Sequence, residues 1–223
     1  MKRVLGIALA CGLALGPAAG GAQAARFTTK IDNPYLPLAP GSRWIYRDTL
    51  TGERVVVAVT HRTKRIASGV NARVVRDTVR RHGRLVEDTF DWYAQDDRGN
   101  VWYMGEDTKE YEHGKVSSTA GSWEAGVDGA RAGIAMPAHP RVGRAYRQEL
   151  YAGHAEDHAR VLSRDDQAEV PAGHYKRALL TKEWTPLEPD VLEYKLYARG
   201  VGMVLSTTVS GGAEREELIR FTR

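Results

Sequence analysis

The stretch ERVVVAVTHRTK, Glu53–Lys64, alternates: Val55, Val57 and Val59 fall on one side of the chain, and Arg54, Thr60 and Arg62 on the other. A period of two is the side-chain spacing of a strand with one face buried; a helix needs apolar residues three and four apart. The pattern recurs outward from this stretch. In Arg84–Tyr93, Val86, Phe90 and Trp92 share a face, and in Val191–Ala198, Leu192, Tyr194, Leu196 and Ala198 oppose Glu193 and Lys195. Turn signals punctuate the runs: Thr51-Gly52, Ser68-Gly69, His82-Gly83, Asp96–Asn100, His113-Gly114, Pro171-Ala172-Gly173 and Gly211-Gly212. About ten strands at this spacing predict an all-β domain. Connections this short force antiparallel neighbours, because a parallel crossover takes a dozen or more residues. The expected fold is a single curved antiparallel sheet or an open β-barrel.

Three segments break the rhythm. Ile31–Gly41 holds Pro34, Pro37 and Pro40 and reads as an extended lead-in that ends in a turn at Pro40-Gly41. Residues 120–143 are rich in glycine, lack the period of two and contain Trp123, Met136 and His139, so they read as one long loop. Such a loop is either a binding loop or a cover for an open sheet edge. His154–Leu162 has helical propensity in Ala155–Arg160, but its neighbours are strands and Ala155, Ala159 and Val161 align at strand spacing, so a strand is expected.

The first residues carry an export signature. Met1-Lys2-Arg3 is a basic head, Val4–Leu15 an uncharged apolar run, and Ala22-Gln23-Ala24 an Ala-x-Ala site. The expectation is a signal peptide over 1–24, cut after Ala24 or alternatively Ala25, and a periplasmic or secreted mature chain. Gly16-Pro17 interrupts the run well short of the ~20 apolar residues a membrane span needs. The sole cysteine, Cys11, lies inside the run rather than after it, which disfavours lipid attachment. Removing 1–24 leaves 199 residues and lowers the formal charge from +4 to +2. A domain of that size buries about 70% of its unfolded surface, so residues 42–223 form one β domain behind the lead-in 25–41. Its acidic and basic residues are interspersed, without a basic stripe interleaved with aromatics, which argues against nucleic acid. No mature segment reaches membrane-spanning length.

No motif carries chemistry outright. Asp96-Asp97-Arg98-Gly99-Asn100 lacks the alternating ligands and closing Glu of a calcium loop and reads as a hairpin turn. His154 and His158 would lie about 13 Å apart on a strand, too far to share a metal, and no zinc-protease pattern is present. Gly121-Ser122-Trp123 lacks the strand-to-helix context of a nucleophile elbow. Neither a metal nor a cofactor is expected. The residues that stand out are carboxylates at apolar parity: Asp88 with Val86, Phe90 and Trp92, and Asp157 with Ala155, Ala159 and Val161. A buried ionised carboxylate costs several kcal/mol unless paired or hydrogen-bonded. Each therefore needs a structural partner, such as Arg73, Arg76 or Arg147, or a wet cavity that receives a ligand.

Several stretches resemble a group of secreted bacterial β-rich proteins: NPYLPL (Asn33–Leu38) with Pro40-Gly41, EDTFDWYAQD (Glu87–Asp96), GNVWYMGE (Gly99–Glu106), GSWEAGVDGA (Gly121–Ala130) and TPLEP (Thr185–Pro189). The resemblance spans nearly the whole mature chain. Val170–Tyr175 and Tyr197–Gly202 are also similar to a wider set of envelope proteins with curved antiparallel sheets, some akin to lipoprotein carriers; those usually have Pro where this chain has Arg199. The resemblance implies the fold and an exported location, and no activity.

The function expected from these readings is non-enzymatic binding of a small or lipidic molecule inside the sheet or barrel, with Asp88, Trp92, Trp123, His139 and Asp157 as candidate ligand contacts. One alternative is a hydrolase using Asp88 or Asp157 as general acid or base beneath the loop 120–143. The other is a structural or protein-interaction module.

Overall fold

The computed structural model describes residues 25–223; the expected signal peptide, with Cys11 and the cleavage site after Ala24, lies outside the described residues. The described residues form strands and turns and no helix. The strands are β1 (Phe27–Thr28), β2 (Arg43–Asp48), β3 (Arg54–Arg65), β4 (Asn71–Arg81), β5 (Arg84–Asp96), β6 (Val101–Glu112), β7 (Lys115–Ser118), β8 (Trp123–Glu124), β9 (Arg131–Met136), β10 (Ala145–Arg147), β11 (Glu149–Leu150), β12 (His158–Val170), β13 (Gly173–Trp184), β14 (Leu192–Ala198), β15 (Gly202–Ser210) and β16 (Arg215–Thr222). All pair antiparallel, as the short connections require. The number exceeds the expected ten because five short pieces, of two to four residues, flank the long strands.

Two meanders, β2 to β6 and β12 to β16, join edge to edge where β16 pairs β2, with Leu218 opposite Tyr46 and Phe221 opposite Trp44. The resulting sheet is curved and open, and its outermost strands are β10 and β11. These are separated in sequence by Gln148 alone, so one short segment borders both β12 and β9. The hairpins β4–β5 and β6–β7 turn on His82-Gly83 and His113-Gly114. Both residues of each pair have positive φ, between 49° and 79°, the conformation whose twist matches the flanking strands.

The sheet buries residues on both faces. The inner core gathers Trp44, Tyr46, Val55, Val59, Val75 and Leu218 beneath Ile31, Tyr35 and Leu38 of the lead-in. That lead-in is not uniformly extended: Asn33 Oδ1 accepts from the amides of Tyr35 and Leu36 and folds it into a turn over one end of the sheet. The outer face of β4 to β6 carries a second core, with Val74, Trp92, Ala94 and Met104 under Trp123, Ala125 and Ala130. Residues 120–143 are therefore not a structureless loop. They hold β8 and β9, both paired with β6, and cover its outer face. His154 lies in a turn and the strand begins at His158, so the expected strand occupies only the later part of His154–Leu162.

Candidate functional site

The inner face encloses a cavity of about 330 Å³ walled by β2 to β6 on one side and β13 to β16 on the other, with Leu36 and Leu38 of the lead-in at one end. Aliphatic and aromatic side chains, among them Val55, Val57, Val75 and Trp44, form part of its wall. The rest is acidic: Asp77, Asp91, Glu149, Asp157, Glu183 and Glu216 line it, with Lys195 as the sole cation among the described residues. At the far end the cavity runs into a wider opening of about 660 Å³ that shares Val55, Lys195, Met203 and Glu216 with it. That opening adds Glu87, Glu110, Glu112 and Glu193. Glu53 there is taken by Arg81 at 2.7 Å.

Strand parity delivers these groups. In β4, Asp77 alternates with Val75 and Val79, and the β4–β5 ladder sets Val75 opposite Asp91 and Val79 opposite Glu87. Opposed residues share a face, so Glu87, Thr89, Asp91 and Tyr93 point inward. A bulge in β6 adds one more. Asp91 faces Glu106 and Tyr93 faces Tyr103, so two steps along β5 match three along β6. The extra residue lies at Met104-Gly105 and turns both Tyr103 and Glu106 to the inner side, as bulges re-aim side chains. Gly105 has φ 123°, and a Cβ there would sit 2.2 Å from the carbonyl oxygen of Trp123 in β8.

These carboxyls are crowded and poorly hydrated, and their acidities shift accordingly. Burial raises Asp91 to about 6, opposed by the Tyr103 hydroxyl, which donates to Asp91 Oδ1 at 2.8 Å. Burial and the charge of Asp91 raise Glu106 to about 8, and burial raises Glu216 to about 7. Burial, reinforced by the charge of Asp157, raises Glu149, and Asp157 is itself raised by burial. Asp77 is raised by burial and by the charges of Asp91 and Glu216. Its Oδ1 is closed to solvent and has no hydrogen-bond partner among the described residues.

Glu183 is the exception. Burial pushes it up, but Lys195 Nζ at 2.9 Å, Thr181 Oγ1 at 2.9 Å and the Tyr197 hydroxyl at 3.1 Å outweigh that and hold it below the usual range. Lys195 also reaches Glu193 at 3.4 Å, so the cavity's lone cation is already neutralised.

Of the expected site residues, Asp157 lines this cavity. The others lie elsewhere. The parity of Asp88 with Val86, Phe90 and Trp92 predicts that it faces inward; the structure instead turns Asp91 inward. Asp88 is on the outer face in a two-pronged pair with Arg76, at 2.7 and 2.8 Å. Trp92 is buried in the outer core with the Lys64 ammonium 4.3 Å from its ring centroid. Trp123 is buried in the same core, edge-on to Tyr103. His139 lines a separate cleft at the lead-in end. His154 and His158 stack on Tyr151 and Trp184, and no group of three metal-ligating side chains is placed to hold an ion among the described residues. Asp96 does serve its turn: it accepts from the amides of Arg98 and Asn100, the Asn100 side chain and the Trp102 indole.

The acidic set of Asp77, Asp91, Glu106, Glu149, Glu183 and Glu216 was not anticipated. A usable signal existed in Val75-x-Asp77-x-Val79, a carboxylate at apolar parity, and in Gly105, since a glycine inside a strand marks a bulge or a close approach.

No protein-family model matches the chain, and no curated protein matches it. Among solved structures it is similar to a Bacteroides fragilis protein inferred to be exported, with a YMCC-like fold, at 15% identity and a TM-score of 0.49 over 85% of this chain and 99% of that one. It is also similar to a Parabacteroides distasonis protein inferred to be a lipoprotein, at 11% identity and a TM-score of 0.45 over the same shares.

Proposed function

We propose that the mature chain is an exported binding protein whose inner cavity takes a small organic cation, an amine or quaternary ammonium on an apolar body. The observation that carries this reading is Asp77. Its carboxyl lines the cavity with an unpartnered, solvent-closed oxygen, and buried polar atoms in native proteins are almost always satisfied. A cationic head placed there would pair with Asp77 and Asp91, while Val55, Val57 and Trp44 would pack against its apolar body. A cavity of about 330 Å³ suits a small ligand, since such sites usually span about 300–1,000 Å³. The unfavourable crowding of like charges in the empty site is relieved by protons, which the raised pKa values of Asp91, Glu106 and Glu216 express. A cation would replace those protons. This reading narrows the small or lipidic ligand expected from the sequence to a positively charged one.

The test is calorimetric titration with octylamine, octanol and octanoate. Octylamine should bind, octanoate should not, and Asp77→Asn should abolish the preference. Equal binding of octanoate and octylamine, or no binding of octylamine, would overturn the reading.

A second reading is favoured by one observation. Glu149 and Asp157 are adjacent carboxyls in the cavity that perturb each other, as an acid–base pair in a hydrolase would. It requires loss of a measurable hydrolytic activity in Asp157→Asn with ligand binding retained.

A further inference from the structure

The end of the sheet opposite the acidic opening has the reverse charge. A cleft of about 470 Å³ there is lined by Arg98, Arg141, Arg164, Arg199 and His139, with Asp32 as its one carboxylate among the described residues. Along β5, Glu87 lines the acidic opening, Asp91 the cavity, and Gln95 this cleft. The eight residues from Glu87 to Gln95 span about 26 Å, so the two regions are distinct.

The cationic groups come from four places in the chain, the β5–β6 turn (Arg98), the connection after β9 (His139 and Arg141), β12 (Arg164) and the β14–β15 turn (Arg199), and face the lead-in. Like charges repel, so their convergence needs a reason. Internal pairing is not that reason: none of the four arginines forms a salt bridge among the described residues. Asp32 is engaged elsewhere, with Lys30 at 3.1 Å and the Gln95 amide at 2.8 Å.

The walls are fixed in advance. Asn33 Nδ2 donates to the carbonyls of Gly99 and Pro137 at 3.0 and 3.2 Å, binding the lead-in to both neighbouring loops. Gln95 Oε1 accepts from the amides of Asp32 and Asn33, and Asn100 Oδ1 accepts from the amide of Ala138. Arg199 lies 5.1 Å from the centroid of the Tyr35 ring and donates to its hydroxyl. Preformed walls lower the ordering cost of binding.

We propose that this cleft is a second binding site, for a phosphate-bearing anion. Several guanidinium forks facing one space suit a multiply charged group with three or more acceptor oxygens. A single carboxylate would leave most of them unpaired. The phosphate could belong to a soluble phosphorylated compound or to a lipid headgroup at a membrane surface, and the experiment separates the two.

Calorimetric titration of the mature protein with inorganic pyrophosphate at low salt should show saturable binding. The exposed pair Arg141→Gln/Arg164→Gln should weaken it about tenfold or more with an unchanged melting temperature and unchanged octylamine binding. Arg98→Gln repeats the test if the double variant loses its fold. Phosphatidylglycerol vesicles that co-sediment the protein, displaced by pyrophosphate, would identify a headgroup; pyrophosphate binding with no vesicle association would identify a soluble compound. Absence of saturable binding, or equal binding by folded variants, overturns the proposal. Because octylamine is measured in parallel, failure here is distinguishable from failure of the cavity reading.

Discussion

Asp91 on β5 stands directly opposite Glu106 on β6, because the bulge at Gly105 places both on the inner face, where Asp91 lines the cavity. Like charges directly opposed across a ladder are destabilising. The pair lives with this by keeping protons: burial, with the charge of Glu87, holds Asp91 near 6, and burial, with the charge of Asp91, holds Glu106 near 8. A folded state that retains protons released by the unfolded chain loses stability as pH rises. The window runs from about 4, where unfolded carboxyls titrate, to about 8, the upper of these values. Glu183, held low, acts in the opposite sense but below that window. Urea midpoints should therefore be lower at pH 8.5 than at pH 5, and Glu106→Gln should flatten the dependence. A midpoint equal or higher at pH 8.5 would contradict the crowded-carboxyl account.

The Lys195–Glu183 pair should be strongly sensitive to removal of one member. Lys195→Met leaves Glu183 buried without its cation, and breaking such a pair costs about 3–5 kcal/mol. The Thr181 and Tyr197 hydroxyls remain as donors to Glu183, which places the expected loss at the lower end. Replacing both members, Lys195→Met with Glu183→Leu, should recover much of it. Chemical denaturation of the three variants measures this, and a loss under 1 kcal/mol in the single variant would mean that water reaches Glu183 freely.

The Asp88–Arg76 pair should behave differently, since the Arg76 side chain is 47% exposed. Solvent-exposed pairs contribute about 0–1 kcal/mol, so Asp88→Ala should change stability by no more than that. A larger loss would show that the Asp88–Arg76 pair is shielded from solvent.

Gly105→Ala tests the bulge. The residue needs φ 123°, and a Cβ would collide with the Trp123 carbonyl, so either β8 lifts from β6 or the bulge is lost. An incompatible backbone costs more than the ~1 kcal/mol by which Gly-to-Ala changes usually act. A measured loss below that, with cation binding intact, would show that the bulge does not position Glu106.

The reach of the sequence differs between fold and site for one physical reason. Alternation in β3, β5 and β14 identifies strands, and His82-Gly83 and Asp96–Asn100 identify hairpin turns, because these depend on local geometry. Alternation says that a strand has two faces, and the apolar one is ordinarily assigned to the interior. Here that assignment fails twice. In β5, Phe90 and Trp92 face the outer core under residues 123–130, while Asp91 faces inward. In β14, Lys195, on the polar side of the alternation, lines the cavity together with Tyr197. A sheet covered on both sides, with a polar interior, removes the contrast on which the assignment rests. Glu149 was out of reach for another reason: β11 has two residues, too few for any period.

Cation binding should release protons. Asp91, Glu106 and Glu216 have pKa values of about 6, 8 and 7, so near neutral pH the inner face around the empty cavity holds part of its charge as protonated carboxyl. A bound ammonium favours the ionised forms, lowers these values and expels protons to solvent. By linkage, affinity must then rise with pH as long as the empty site still has protons to lose. Octylamine affinity should climb between pH 6 and pH 8, and its binding enthalpy should vary with the ionisation enthalpy of the buffer. Glu106→Gln should reduce the number of protons released. Asp77→Asn should weaken binding directly, because it removes the charge beside the unpartnered oxygen. The competing account, in which octylamine binds only through its apolar chain, makes the opposite forecast: octanol would bind as well as octylamine, without proton release and without pH dependence across the same range.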